Sequence, residues 1–165
     1  MRQCAGMKAS ELGARVKEIL EAGGEGAGRF LPLVTLDSGA RCGLDPDGRW
    51  LLVPDDGRPA VVYAPAEAHL FHEVLEHKRR RFDDALEEAA RAAGLPADEV
   101  LFAFPAVEVI RAVLAKEQPY LTRLALEWIG PTELRLLRAE IRAVTRALAM
   151  PLPVKQLAER LVVPE

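Results

Sequence analysis

The sequence changes character at Pro65. From residue 30 to 64, short apolar runs alternate with turn chemistry at Asp37-Ser38-Gly39, Asp45-Pro46-Asp47-Gly48 and Asp55-Asp56-Gly57; beyond Pro65, apolar side chains recur at helical spacing to the end. Proline presets the φ of a turn and glycine accepts its left-handed position, so Asp45-Pro46-Asp47-Gly48 between Arg41–Leu44 and Arg49–Val53 is the strongest hairpin signal in the chain. The pattern predicts a four-stranded antiparallel β-meander over about residues 30–64, with Pro32 favouring an edge strand because it cannot donate to a ladder. One helix precedes the meander and about five follow it, giving an α+β class with helices covering one face of the sheet.

Ser10 serves as the N-cap of a first helix over about 10–22, in which Leu12, Val16, Ile19 and Leu20 share a face and Gly23-Gly24 ends the run. Gly23, Gly24, Gly26 and Gly28 have the look of a phosphate-cradling loop, but such loops follow a strand and open a helix; here the order is reversed and a linker is expected. Leu70, Phe71, Val74, Leu75, Phe82, Ala85, Leu86 and Ala89 predict one long helix over 66–93, stopped by Gly94 and Pro96. Residues 100–104 read better as helix than as strand, and further helices are expected at about 106–116, 119–129, 132–148 and 153–161. With 165 residues and no internal repeat, the chain is expected to form a single domain, residues 1–8 being flexible.

Composition removes several function classes. A formal charge of −3, with basic and acidic residues spread over both halves, lacks the basic excess of a nucleic-acid binder. Cys4 and Cys42 build neither a disulfide framework nor a four-thiolate zinc site, which suits a reducing, cytoplasmic setting. Cys4-Ala5-Gly6 has a lipobox-like form without an apolar stretch before it, and no run of about 18 apolar residues suggests a membrane span. Asparagine is absent and arginine outnumbers lysine 17 to 5, a bias that G+C-rich coding and selection against thermolabile amides both produce.

All three histidines fall within His69-Leu70-Phe71-His72-Glu73-Val74-Leu75-Glu76-His77. On an α-helix His69, His72, Glu73, Glu76, His77 and Arg80 share one side, and imidazole and carboxylate at i, i+3 and i+4 suit a divalent metal, with His69, His72 and Glu73 as first ligands. The spacing fits neither His-Glu-x-x-His nor Glu-x-x-His, so a solvent-facing stripe with His69–Glu73 and His72–Glu76 pairs is expected instead, with no metal and no cofactor. The turn aspartates invite a calcium reading through Asp45-x-Asp47-Gly48, but no twelve-residue loop with a terminal glutamate follows.

Nucleophilic catalysis has little to build on. Ser10 and Ser38 lie outside any Gly-x-Ser-x-Gly, Cys42 reads as a small core residue, and the pairs Asp55-Asp56, Asp83-Asp84 and Glu87-Glu88 carry no assignable acid and base roles. The run Lys78-Arg79-Arg80-Arg81 points its four charges in different directions around a helix, among Glu76, Asp83 and Asp84.

A second basic feature is better ordered. In the helix after Pro131, Leu134, Leu137, Ile141, Val144 and Leu148 form a packing seam, while Arg135, Arg138, Arg142 and Arg146 form a separate stripe. Forked guanidinium hydrogen bonds suit an acidic protein surface or phosphates, although pairing with Glu127 or Glu140 within the chain would silence them. Residues 152–165 resemble the opening helix and turn of a helix-turn-helix, without the second helix that reads a major groove, and support no family assignment. The expectation is a non-enzymatic protein-binding module, of inhibitor or immunity type, using the arginine stripe against an acidic partner; the alternatives are a metal-dependent enzyme built on His69–His77 and a nucleic-acid-associated protein built on the stripe.

Overall fold

A computed structural model describes residues 8–23 and 28–163. Cys4 and the lipobox-like motif, the flexible start expected before Lys8, Gly24 and Gly26 of the glycine segment, and Pro164 and Glu165 of the terminal segment lie outside the described residues. The elements are α1 (Ala9–Ala22), β1 (Leu31–Thr35), β2 (Arg41–Leu44), β3 (Trp50–Val53), β4 (Val61–Val62), a 3₁₀ helix (Pro65–Glu76), α2 (Arg79–Ala92), α3 (Ala97–Ala103), α4 (Ala106–Leu114), α5 (Pro119–Glu127), α6 (Pro131–Leu136), α7 (Arg138–Arg146) and α8 (Leu152–Val162). The class is α+β: an antiparallel sheet in the order β1-β2-β3-β4, with helices after it. Among the described residues no helix is long and apolar enough to cross a membrane.

The chain divides into two compact units: the described residues up to Tyr63 with Arg80–Phe104, and Ala64–Arg79 with the described residues from Pro105 on. In the first, the meander has the strand order its turns dictate. Cys42 pairs with Val34 on one side and Leu52 on the other, and β1 is an edge strand whose register shifts between Pro32 and Val34, where proline contributes no N–H. Asp45 closes the β2–β3 turn by accepting the N–H groups of Asp47 and Arg49, both at 2.9 Å. Gly48 takes φ +77° there and lies against the backbone of α1; a Cβ on Gly13 would stand 2.5 Å from Gly48 N and 2.7 Å from Pro46 O, so the two glycines let helix and turn touch. Trp50 donates from Nε1 to the Ala103 carbonyl at 3.1 Å and meets Phe104 edge-on at 5.1 Å, and Phe104 in turn packs on Phe82 at 4.8 Å.

The α1 start differs from expectation by two residues. Lys8 is the N-cap, its N–H bonded by the Glu11 carboxylate at 3.2 Å, and Ser10 lies within the first turn.

In the second unit the 3₁₀ helix packs on α4 and α5, α4 also meets α6 and α7, and α8 packs on α5 and α7. Buried side chains of this unit include Phe71, Ile110, Leu126, Leu137 and Ile141. Each of the two long predicted helices is broken here. The expected helix over 66–93 is a 3₁₀ helix followed by α2, because His77 is extended (φ −82°, ψ 132°) and its carbonyl accepts Trp128 Nε1–H at 2.7 Å instead of continuing a helical ladder. Within the 3₁₀ helix Ala68, Phe71 and Val74 are buried three residues apart, the 3₁₀ period. The expected helix over 132–148 divides at Leu137 (φ −114°, ψ 14°), whose side chain is fully buried, and ends at Arg146. Pro151 lacks the N–H that would bond the Ala147 carbonyl, and its ring would crowd that carbonyl in a continued helix. Met150 consequently enters the core in place of Leu148, which is 98% exposed.

Candidate partner-binding surface

Glu133 sets the course of the chain into the arginine stripe. Gly130 leads into α6 with its N–H bonded to Glu133 Oε2 at 3.0 Å, and Glu133 Oε1 accepts Arg79 Nη2 at 3.0 Å, so the start of α6 is held at both carboxylate oxygens. Arg79 also donates to the Trp128 carbonyl at 3.1 Å and lies 4.9 Å over the Trp128 ring. Beyond Leu137, α7 buries Ile141 and Val144 and turns its opposite side outward.

Arg135, Arg138, Arg142 and Arg146 are all exposed. Arg138, Arg142 and Arg146 follow one another at i, i+4 and i+8 along α7, whereas Arg135 belongs to α6 across the break at Leu137. None of the four has a carboxylate within ion-pair distance among the described residues, while Arg49, Arg58, Arg79, Arg80, Arg81, Arg91, Arg111 and Arg123 each do. The two carboxylates expected to neutralise the stripe are engaged elsewhere: Glu127 by Arg123 at 3.0 Å and Glu140 by Arg111 at 2.7 Å. Burial raises the Glu140 pKa, but the Arg111 hydrogen bond, a backbone N–H and the Arg111 charge together outweigh it and hold the carboxyl below its ordinary range.

Apolar exposure at this end of the unit was not legible as such. Leu148 and Leu152 flank the proline-rich connection between α7 and α8, and Leu136 is exposed beside Arg135. Leu148 fits the helical seam by spacing alone; Pro151 was the signal that the seam stops before it.

The other candidate residues are not brought together into a site. His69 and His72 lie on the 3₁₀ helix, where residues three apart eclipse, and Glu73 is displaced from them by a third of a turn; the His72 Nδ1 is 3.1 Å from the His69 carbonyl. His77 is buried beyond the helix end, so the polar stripe expected of an α-helix does not form. Among the described residues no three His, Cys, Asp or Glu side chains are grouped to hold a metal ion. Asp45 also accepts Arg49 Nε at 2.8 Å. The backbone N–H of Arg58, followed by its side chain, keeps the Asp56 carboxyl below the usual range, so both aspartates serve their own turns. Cys42 is fully buried and desolvation lifts its pKa to about 12, which makes it a protonated core thiol. Of the Lys78–Arg81 run, Arg79 turns inward to Trp128 and Glu133, Arg80 pairs with Asp84 at 3.9 Å and Arg81 with Asp37 at 3.6 Å.

Comparison with protein-family models, curated proteins and solved structures found no match to this chain.

Proposed function

We propose that this chain is a non-enzymatic protein-binding module that acts in the cytoplasm as an inhibitor or immunity-type protein, docking Arg138, Arg142 and Arg146 of α7, with Arg135 of α6, on an acidic protein surface. The observation that carries the reading is the contrast in pairing. Eight other arginines have carboxylate partners within the chain, Glu127 and Glu140 are occupied, and these four exposed guanidiniums have no such partner among the described residues; Arg15, Arg29, Arg41 and Arg160 are exposed without one as well but are scattered along the chain, whereas these four follow one another on α6 and α7. An unpaired guanidinium keeps its planar fork of donors for an incoming carboxylate, and several on neighbouring turns favour a partner whose acidic groups are spaced to match. Leu136, Leu148 and Leu152 supply exposed apolar area in the same unit, which an arginine-rimmed interface can bury. The formal charge of −3 and the spread of acidic residues favour a protein over a nucleic acid as the acidic partner.

The test is affinity isolation from the source cells with the tagged wild type and with a variant carrying Arg135→Glu, Arg138→Glu and Arg142→Glu. One acidic protein retained stoichiometrically by the wild type and lost by the folded variant is the expected result. Retention by both proteins, or recovery of nucleic acid alone, contradicts the reading.

A further inference from the structure

A groove with about 160 Å³ of free volume lies in the second unit, lined by α4, α5 and α7 and by the turns after α4 and α7. Its lining includes the buried, apolar Leu114, Val144 and Met150. Ala115 and Ala143 line it too and are exposed, so the groove opens to solvent. Charge is disposed unequally around that opening. Ala143 precedes Arg146 by three residues on α7, which sets their Cβ atoms about 5–6 Å apart, and Arg142 stands one turn before Arg146. Both guanidiniums are exposed and have no carboxylate partner among the described residues. Of the charges in the lining itself, Arg111 is bound by Glu140 at 2.7 Å, and Glu117 adds a negative charge on the side of the turn after α4.

We propose that this groove receives one large apolar side chain, of the size of leucine, from the acidic protein that docks on the arginine face, an inference that rests on the partner-binding reading above. A small free ligand in an open groove stays half wet, whereas a side chain is covered from behind by the rest of its own protein, so apolar burial is completed only by a macromolecular partner. The size follows from the volume, since an apolar cavity of about 150 Å³ accommodates one benzene ring. The anchor is uncharged because the buried lining is apolar and the Arg111 charge is already matched by Glu140. The charges at the opening orient the segment that carries it: its carboxylates lie over α7, where Arg142 and Arg146 meet them, and away from Glu117.

Two peptides blocked at both ends, Glu-Glu-Glu-Leu and Glu-Glu-Glu-Ala, are titrated into the full chain at low salt while backbone amide shifts are followed by two-dimensional NMR. The leucine peptide is expected to bind about tenfold more tightly, with saturating shifts at Ala143, Val144 and Met150 beside those at Arg142 and Arg146. Ala115→Gln with Ala143→Gln crowds the exposed mouth with uncharged polar chains, and should remove that preference while leaving the affinity of the alanine peptide unchanged. Arg142→Gln with Arg146→Gln should weaken both peptides at least about threefold and keep the preference. Equal affinity of the two peptides for the wild type, or leucine-dependent shifts away from the groove, would overturn the groove and leave the arginine reading standing. Failure of both peptides to saturate would overturn the two together. A leucine preference that survives the glutamine pair at the mouth, or groove binding indifferent to Arg142 and Arg146, would equally contradict a shared docking site.

Discussion

The Arg79 guanidinium stands over the Trp128 ring, 4.9 Å from its centroid, and donates to the Trp128 carbonyl at 3.1 Å. The indole N–H returns to the chain just ahead of Arg79, at the His77 carbonyl, 2.7 Å away. Two segments about fifty residues apart are thus clasped by main-chain and side-chain bonds running in both directions, and the clasp extends through Arg79 to Glu133 at the head of α6. The segment that bears the exposed arginines is anchored by an arginine that has its own carboxylate.

Glu133 is 8% exposed at its side chain and Arg79 28%, so Glu133→Gln withdraws a carboxylate from a largely desolvated guanidinium. A loss of about 2–3 kcal/mol is expected by urea denaturation, with the slope unchanged. Arg79→Lys should also lose stability, because an ammonium cannot bond Trp128 and Glu133 in the same fork while stacking on the ring. Wild-type stability in Glu133→Gln would show that the Glu133 charge contributes nothing to the clasp.

The contrast between these contacts and the meander explains what the sequence disclosed. Asp45-Pro46-Asp47-Gly48 forms its turn from bonds between residues two and four apart, so the local text was sufficient for the sheet and its order. The break at His77 depends on a tryptophan fifty-one residues away, and no local pattern announces it: Ala68, Phe71 and Val74 suit a period of 3.6 as well as one of 3.0 over so short a span. The exposure of Arg138, Arg142 and Arg146 was legible from the helical period, whereas their lack of carboxylate partners was not, because it turns on Arg111 reaching Glu140 and Arg123 reaching Glu127.

Gly13→Ala tests the approach of α1 to the β2–β3 turn. Alanine in a helix interior ordinarily gains up to about 1 kcal/mol over glycine. Here the added Cβ meets the backbone of Pro46–Gly48, which cannot swing aside, and a net loss of about 1–3 kcal/mol is expected by thermal or chemical denaturation. A stabilised variant would contradict the contact.

The Arg111–Glu140 pair gives a pH dependence of defined sign. The folded-state pKa of Glu140 lies below its unfolded value, so its contribution is complete above the ordinary carboxylate range and is lost as pH falls through the lowered folded value. Wild type and Glu140→Gln should therefore differ most at neutral pH, by at most about 1 kcal/mol for so exposed a pair, and converge in acid. A gap that widens on acidification would reverse the assignment.

Cys42 should resist alkylation in the native protein. With its pKa raised to about 12 and its side chain buried, it holds almost no thiolate at pH 8, and peptide mass spectrometry after iodoacetamide should find it unmodified until denaturant is added. Modification under native conditions at the rate of a free thiol would mean that β2 opens readily.

The partner-binding account rests on the arginine face, and titration of the purified partner tests it most directly. Wild type is compared with the Arg135→Glu, Arg138→Glu, Arg142→Glu variant at two salt concentrations, after circular dichroism has shown that the variant is folded. Exposed substitutions of this kind should cost within about 0.5 kcal/mol each in stability. The account predicts a loss of affinity of at least about thirtyfold, with wild-type binding weakened by salt. Equal affinity of the two folded proteins at both salt concentrations would contradict it, and would leave the stripe as the solvated side of α6 and α7.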